Sequence, residues 1–248
     1  MKVLILGGTT EAGALARALS QRSIPALYSY AGRVAAPKPQ PVPTRVGGFG
    51  GVDGLAAFLA DQRITHLVDA THPFAAQMSR NAVVAAARSG VELIALTRPP
   101  WAPVEGDRWQ RAASVEAAVA ALDGPAERIM LAIGRIHLAA FAAQPQHHYL
   151  LRLVDAPDAA PPLPRHSTVV DRGPFTLEGD LALLREHRIG RLVCKNAGGP
   201  GAAAKLEAAR RLKLPVLMID RPDLPPRQEA HSVEAVLAWL GHATDLGV

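Results

Sequence analysis

A continuous apolar run that stops at paired glycines, Val3-Leu4-Ile5-Leu6-Gly7-Gly8, opens the chain and restricts its folding more than any other stretch. Four apolar residues in a row suit a strand buried on both faces, the condition of a parallel sheet between two helix layers. Thr9 or Thr10 then caps a helix in which Leu15 and Leu19 lie one turn apart, with Ala12, Ala16 and Ala18 allowing close approach to a sheet. Strand, glycine turn and helix start together put backbone N–H groups and a positive helix end where a phosphate can sit. The spacing Gly7-Gly8-x-x-x-x-Gly13 matches neither G-x-G-x-x-G nor a P-loop, so the turn serves either as a phosphate cradle or as a plain connection. Its place in the first βα unit favours the cradle.

The same alternation continues. Strands are expected at Ala26–Tyr30, His66–Ala70, Val91–Leu96, Arg128–Ile133, Tyr149–Val154, Thr168–Val170, Arg191–Cys194 and Val216–Ile219. Helices are expected at Ala75–Arg88 with Pro73 in the first helical position, at Ser114–Leu122, around Leu138 and Phe141, and at Leu177–His187, Ala202–Leu212 and Ser232–Leu240. Residues 99–125 are rich in proline and polar side chains and mark a boundary. The pattern predicts an α/β fold of two Rossmann-like halves, with mostly parallel sheets flanked by helices and a ligand cleft between them. Residues 1–100 form the nucleotide-binding half and 101–248 the half that completes the substrate cleft. A 49% hydrophobic chain of 248 residues can fill both cores.

Several function classes fall away. No apolar run approaches a membrane span, and Met1-Lys2 leads straight into a core strand rather than a signal peptide. A lone Cys194 permits no internal disulfide and points to a reducing cytoplasm. The net charge is +5, yet aromatics are only 4% and no Lys/Arg-rich run occurs, so the partner expected is a small polyanion and not nucleic acid. The nine histidines contain no H-E-x-x-H, and no metal site is expected. G-x-S-x-G is absent, and none of Tyr28, Tyr30 and Tyr149 has a lysine four places on, so neither the hydrolase elbow nor the Tyr-x-x-x-Lys pair of short-chain dehydrogenases is present.

Three strand ends carry the candidate chemistry. An NAD site wants a carboxylate after the second strand, but Ala12 to Val52 contains none, while Arg17, Arg22, Arg33, Lys38 and Arg45 all fall there. Ser29-Tyr30-Ala31-Gly32-Arg33 directly follows that strand, which favours NADP through its 2′-phosphate. Pro37, Pro39, Pro41 and Pro43 keep the next segment extended, and Gly47-Gly48-Phe49-Gly50-Gly51 gives a turn that can border a ligand. Thr71 and His72 end the strand from His66, on the ligand-binding edge of such sheets, where His72 either caps its own loop or meets a ligand. Lys195-Asn196-Ala197-Gly198-Gly199 repeats the opening logic, with a phosphate or carboxylate as the natural guest, and Cys194 reads as a small buried hydrophobe.

Taken in order, Gly7-Gly8-Thr9-Thr10-Glu11, Ser29-Tyr30-Ala31-Gly32-Arg33, Asp69-Ala70-Thr71-His72-Pro73-Phe74-Ala75, Arg98-Pro99-x-Trp101, Gly173-Pro174-Phe175 and Lys195-Asn196-Ala197-Gly198-Gly199 resemble the precorrin-6A reductases of cobalamin biosynthesis from end to end. One departure is Ala12, where many relatives read Glu-Gly-Arg. The resemblance implies NADPH-dependent reduction of one double bond of precorrin-6A to give precorrin-6B. A cobalt-precorrin-6A reductase and a non-enzymatic NADP-sensing protein are the alternatives. It implies cofactor binding by Gly8, Thr9, Thr10, Glu11, Ser29, Gly32, Arg33 and Thr71, and substrate binding by His72, Lys195 and Asn196. His72 and Asp171 are the candidate proton donors. Neighbouring cobalamin-pathway enzymes are the macromolecular partners it suggests.

Overall fold

A computed structural model describes residues 1–32, 37–157, 159–171, 173 and 175–245. Two six-stranded sheets account for the architecture, and every pairing in them is parallel among the described residues. The chain divides into two units, Met1–Arg98 with Asp223–Val248 and Pro99–Pro222.

In the first unit, β1 (Val3–Leu6), β2 (Ala26–Tyr30), β3 (Thr44–Val46), β4 (His66–Asp69), β5 (Glu92–Leu96) and β12 (Glu229–Ala230) lie in the order β3-β2-β1-β4-β5-β12. That is the 3-2-1-4-5-6 order of a dinucleotide-binding fold, with its crevice where the order reverses, between β1 and β4. β1 and β4 are buried at every residue, as their apolar runs require. Helices α1 (Thr10–Gln21) and α7 (Val233–Asp245) cover one face, where Leu15, Leu19, Val236 and Leu240 meet Val3, Ile5 and Val68. Helices α2 (Gly51–Asp61) and α3 (Ala76–Ser89) cover the other, where Leu55, Leu59, Ala82 and Ala85 meet Leu4, Leu6 and Leu67. Alternate residues of one strand thus serve opposite layers, and each leucine fully buried this way contributes roughly 1.5–3 kcal/mol.

The second unit holds β6 (Trp109–Ala112), β7 (Arg128–Ala132), β8 (His148–Leu153), β9 (His166–Val170), β10 (Arg191–Lys195) and β11 (Val216–Ile219) in the order β9-β8-β7-β10-β11-β6. The order is again 3-2-1-4-5-6 if counting starts at β7, and the sixth place is taken by the strand that precedes it. The first sheet is thus completed by a strand from the C-terminal part of the chain, and the second by the strand just before its own β7. Helices α5 (Leu177–Glu186) and α6 (Ala204–Arg211) pack Leu184, Leu206, Ala208 and Ala209 on Met130, Leu150, Leu192 and Met218. Helix α4 (Val115–Ala120) packs on β11 and on a nine-residue 3₁₀-helix, Arg135–Ala143.

Four expectations need correction. The last 26 residues, assigned from sequence to the second half, belong to the first unit, because β12 pairs with β5 through Glu229↔Ala95 and Ala230↔Leu96. Pro73 is not the first helical residue. Phe74 N–H donates to His72 Nδ1 (3.2 Å) and Ala75 N–H to His72 O (2.7 Å), so helical bonding begins only when Ser79 N–H reaches Ala75 O. The segment around Leu138 and Phe141 is a 3₁₀-helix and not an α-helix. Finally, β3, β6 and β12 had no counterpart in the sequence reading; their mostly exposed side chains leave no apolar run to detect.

Candidate functional site

The crevice of the first sheet is built outward from Tyr28. Gly8 N–H donates to the Tyr28 phenol oxygen (2.8 Å), which fixes the turn after β1 against β2. Burial pushes this phenol up to about 12, so it stays protonated at every physiological pH. Gly7 lies so close to the ring that a Cβ there would be 2.1 Å from Tyr28 Cζ. Gly8 adopts φ +118, which glycine allows without strain, and the space beside it is open.

Thr9, rather than Thr10, is the helix cap. Its Oγ1 accepts from Ala12 N–H (3.1 Å) and donates to Ala70 O (2.8 Å), tying the start of α1 to the end of β4. The N–H groups of Thr10 and Glu11 have no acceptor among the described residues, leaving two donors at the positive end of α1. Glu11 is balanced by Arg98 from the end of β5, with Nε 3.8 Å from its carboxylate.

Asp69 organises the other wall. Its Oδ1 accepts from Thr71 N–H (3.2 Å) and from the Thr71 hydroxyl (2.7 Å); its Oδ2 accepts from Ser79 Oγ (2.6 Å) and Arg227 Nη1 (2.6 Å). With side chains only 2% and 7% exposed, Asp69 and Arg227 form a buried ion pair whose remaining acceptor positions are filled by hydroxyl and amide donors. Because the Thr71 proton goes to Asp69, its hydroxyl oxygen keeps its capacity as an acceptor. His72 is exposed, and since its Nδ1 accepts from Phe74 N–H, the neutral ring carries its proton on Nε2.

At the end of β2, Ser29 is buried and accepts from Arg45 Nη1 (2.8 Å). Arg45 also donates to Gly47 O and Gly48 O (2.9 Å each), and its guanidinium lies 4.0 Å from the centre of the Phe49 ring. Burial lowers its pKa from the ordinary arginine value. Gly32 takes φ +75 in the turn beyond β2. Arg33 lies outside the described residues. In the segment that follows, Tyr30 Oη donates to Lys38 O (2.6 Å) and accepts from Gln40 Nε2 (2.6 Å), holding the proline-rich stretch beside β2.

Gly8, Thr9, Thr10 and Glu11 thus lie after β1, Ser29 and Gly32 at the end of β2, and Thr71 and His72 after β4, on three adjacent strands of one sheet edge. The remaining candidates belong to the second sheet. Lys195 ends β10 and is buried. The Asn196 side chain is a positioning group: its Oδ1 accepts from Trp101 N–H (2.7 Å) and its Nδ2 donates to Trp101 O (2.9 Å). Arg221 holds the same turn through Asn196 O and Ala197 O, and Trp101 Nε1 donates to Gly199 O. Asp171 is exposed after β9, three strands away from Lys195 in the sheet, or about 14 Å. These two are not brought together.

Sequence reasoning gave no individual role to Tyr28, Asp69 or Arg227, and counted Arg45 only among the cations that follow β2. Asp69 carried a usable signal, an acid at the end of an otherwise apolar strand. Arg227 carried none, since its partner is 158 residues away.

Comparison with known proteins agrees along the whole chain. The family described as precorrin-6x reductase CbiJ/CobK matches residues 2–241. A precorrin-6A reductase of Rhodobacter capsulatus is 54% identical over 249 residues, covering 100% of this chain and 99% of its own. A cobalt-precorrin-6A reductase of Priestia megaterium is 30% identical over 239 residues, covering 90% and 91%. A solved structure titled CobK precorrin-6A reductase superposes with a TM-score of 0.94 at 54% identity, over 98% of this chain and 96% of that one. The chain belongs to the CbiJ/CobK precorrin-6x reductase family.

Proposed function

We propose that the chain is a precorrin-6A reductase that uses NADPH to reduce one double bond of the macrocycle, giving precorrin-6B in cobalamin biosynthesis. The observation that carries this is end-to-end similarity to precorrin-6A reductases, at 54% identity for the Rhodobacter protein. Lower identity to the cobalt-precorrin enzyme, 30%, favours the metal-free substrate.

The first sheet suits a nicotinamide dinucleotide. Open space at Gly8 admits a pyrophosphate against the backbone, and the Thr10 and Glu11 N–H groups at the head of α1 supply donors and positive potential. No carboxylate between Ala12 and Val52 repels a 2′-phosphate, and Arg45 keeps Ser29 and the Gly47-Gly48 turn in place beside it. Arg33 is our candidate for the direct 2′-phosphate contact. When bound, NADPH supplies the hydride. Thr71 offers an acceptor oxygen to the nicotinamide end, and His72 offers Nε2–H to cofactor or substrate. A proton must join the hydride across the double bond, and solvent, His72 and Asp171 are its candidate sources. Lys195 is the candidate cation for a substrate carboxylate on the second sheet, and the positive balance of the chain favours a substrate rich in carboxylates.

Arg33→Ala tests the cofactor assignment. Losing a charge-assisted contact to the 2′-phosphate should weaken NADPH binding by about tenfold or more while leaving NADH nearly unchanged. Equal weakening of both, measured by fluorescence titration, rejects Arg33 as the discriminating residue. In the same assays, full turnover by both His72→Ala and Asp171→Ala would leave solvent as the proton source.

A further inference from the structure

Of the seven exposed large apolar side chains among the described residues, three fall on or just after three neighbouring strands of the second sheet. Ile136 (63% exposed) follows β7, Val154 (53%) follows β8, and Val170 (52%) ends β9. These three strands are consecutive neighbours, with Leu131 opposite Leu151 and Leu153 opposite Val170. Their carboxyl ends therefore form one continuous edge about 10 Å across. Singly exposed apolar residues need no explanation, but three on adjacent strand ends do, because that edge is where open α/β sheets bind ligands.

We propose that Ile136, Val154 and Val170 form an apolar ledge that receives one flat face of the tetrapyrrole macrocycle. The inference rests on the reductase reading above and places the substrate within it. The occupant is a flat molecule, apolar on its faces and charged at its rim. The ledge is itself apolar; Asp155 and Asp171, which directly follow Val154 and Val170, are acids and turn the carboxylate rim away from those two strand ends, toward Arg135 beside Ile136. Arg135, directly after Gly134, is the nearest cation in sequence for a substrate carboxylate. A second copy of the chain is a poorer occupant, since three side chains offer far less than the roughly 1,200 Å² that a stable protein interface buries. Ile136 also sits in the first turn of the 3₁₀-helix, where i to i+3 bonding stacks side chains closely and keeps the ledge short.

The test compares Ile136→Ser and Ile136→Ser/Val170→Ser with the unaltered protein. The measurements are direct titration with precorrin-6A, steady-state turnover, NADPH titration and sedimentation. All of these side chains are exposed, so the variants should fold. The expected result is a precorrin-6A Kd and KM raised about tenfold in the single variant and about a hundredfold in the double, from lost apolar contact. NADPH affinity stays unchanged, and Val84→Ser, an exposed valine of α3, has no effect. Unchanged precorrin-6A affinity in both variants overturns the ledge. Unchanged affinity with an altered sedimentation coefficient assigns the patch to a second copy of the chain and overturns it equally. If the unaltered protein binds precorrin-6A without reducing it, the reductase reading fails, while weaker binding by the variants still upholds the ledge.

Discussion

Arg227→Ala is expected to lower the stability of the protein by about 3–5 kcal/mol and to abolish most turnover. The size follows from burial. Arg227 and Asp69 are 2.6 Å apart with side chains 7% and 2% exposed, so removing the guanidinium leaves a carboxylate in the interior with no countercharge. Ser79 and Thr71 continue to donate to it, but neutral donors do not replace a cation. Relaxation of Asp69 moves Thr71, whose hydroxyl and N–H it holds just after β4, and so reaches the end of the crevice proposed for the nicotinamide. Asp69→Asn in the Arg227→Ala background removes the stranded charge and should recover much of the stability. The exposed pair Arg88–Asp53, 55% and 86% exposed, provides the contrast: breaking it should change stability by less than about 1 kcal/mol. Denaturant unfolding of the three variants checks the series, and an Arg227→Ala protein within 1 kcal/mol of the original rejects the buried pair as a support.

The second large effect is expected for Gly7→Ala. The added Cβ would lie 2.1 Å from Tyr28 Cζ, 2.2 Å from Cε1 and 2.3 Å from the phenol oxygen, distances that no relaxation of a flexible side-chain end can relieve. Tyr28 is 1% exposed and packed on Tyr30 at 4.5 Å between ring centres, so the ring has nowhere to go. Either the turn after β1 shifts and breaks the Gly8-to-Tyr28 hydrogen bond, or the ring leaves the core. Overpacking of this kind costs about 1–3 kcal/mol or more, and NADPH affinity should fall at least roughly tenfold if the displaced turn carries the pyrophosphate donors as proposed. Tyr28→Leu added to Gly7→Ala should restore part of both. Gly8→Ala separates packing from backbone strain: nothing lies within 4 Å of its Cβ, and the cost there is the φ of +118 alone. NADPH binding by Gly7→Ala equal to that of the original protein would place the cofactor away from this turn.

What could be read from the sequence tracks burial. β1 and β4 are buried at all four residues, and β2 at three of its five, so each announced itself as an apolar run, and the glycine turn after β1 marked the helix that follows. β3, β6 and β12 are held by ladder bonds to neighbours while most of their side chains are exposed or half-buried, with Ala112 and Ala230 the buried exceptions, and hydrophobic pattern cannot see a strand of that kind. The same limit applies to the return of the chain into the first sheet, since two residues pairing with β5 leave no mark on composition. Within the candidate site, the turn at Gly8 and the cap at Thr9 were legible because turns and caps use a small set of residue types near one another in sequence. Tyr28, Asp69 and Arg227 act through contacts between distant segments. His72 caps its own loop through Phe74 N–H, a local contact of the kind its place before Pro73 allowed.

Anaerobic incubation of the protein with precorrin-6A and NADPH, following cofactor and macrocycle absorbance together, with NADH and cobalt-precorrin-6A as parallel arms, tests the reductase assignment. Equimolar loss of NADPH with a shifted macrocycle spectrum, faster than with NADH and faster than with the cobalt substrate, is the predicted result. Unchanged spectra for both tetrapyrroles, from a protein that binds NADPH, would contradict the assignment.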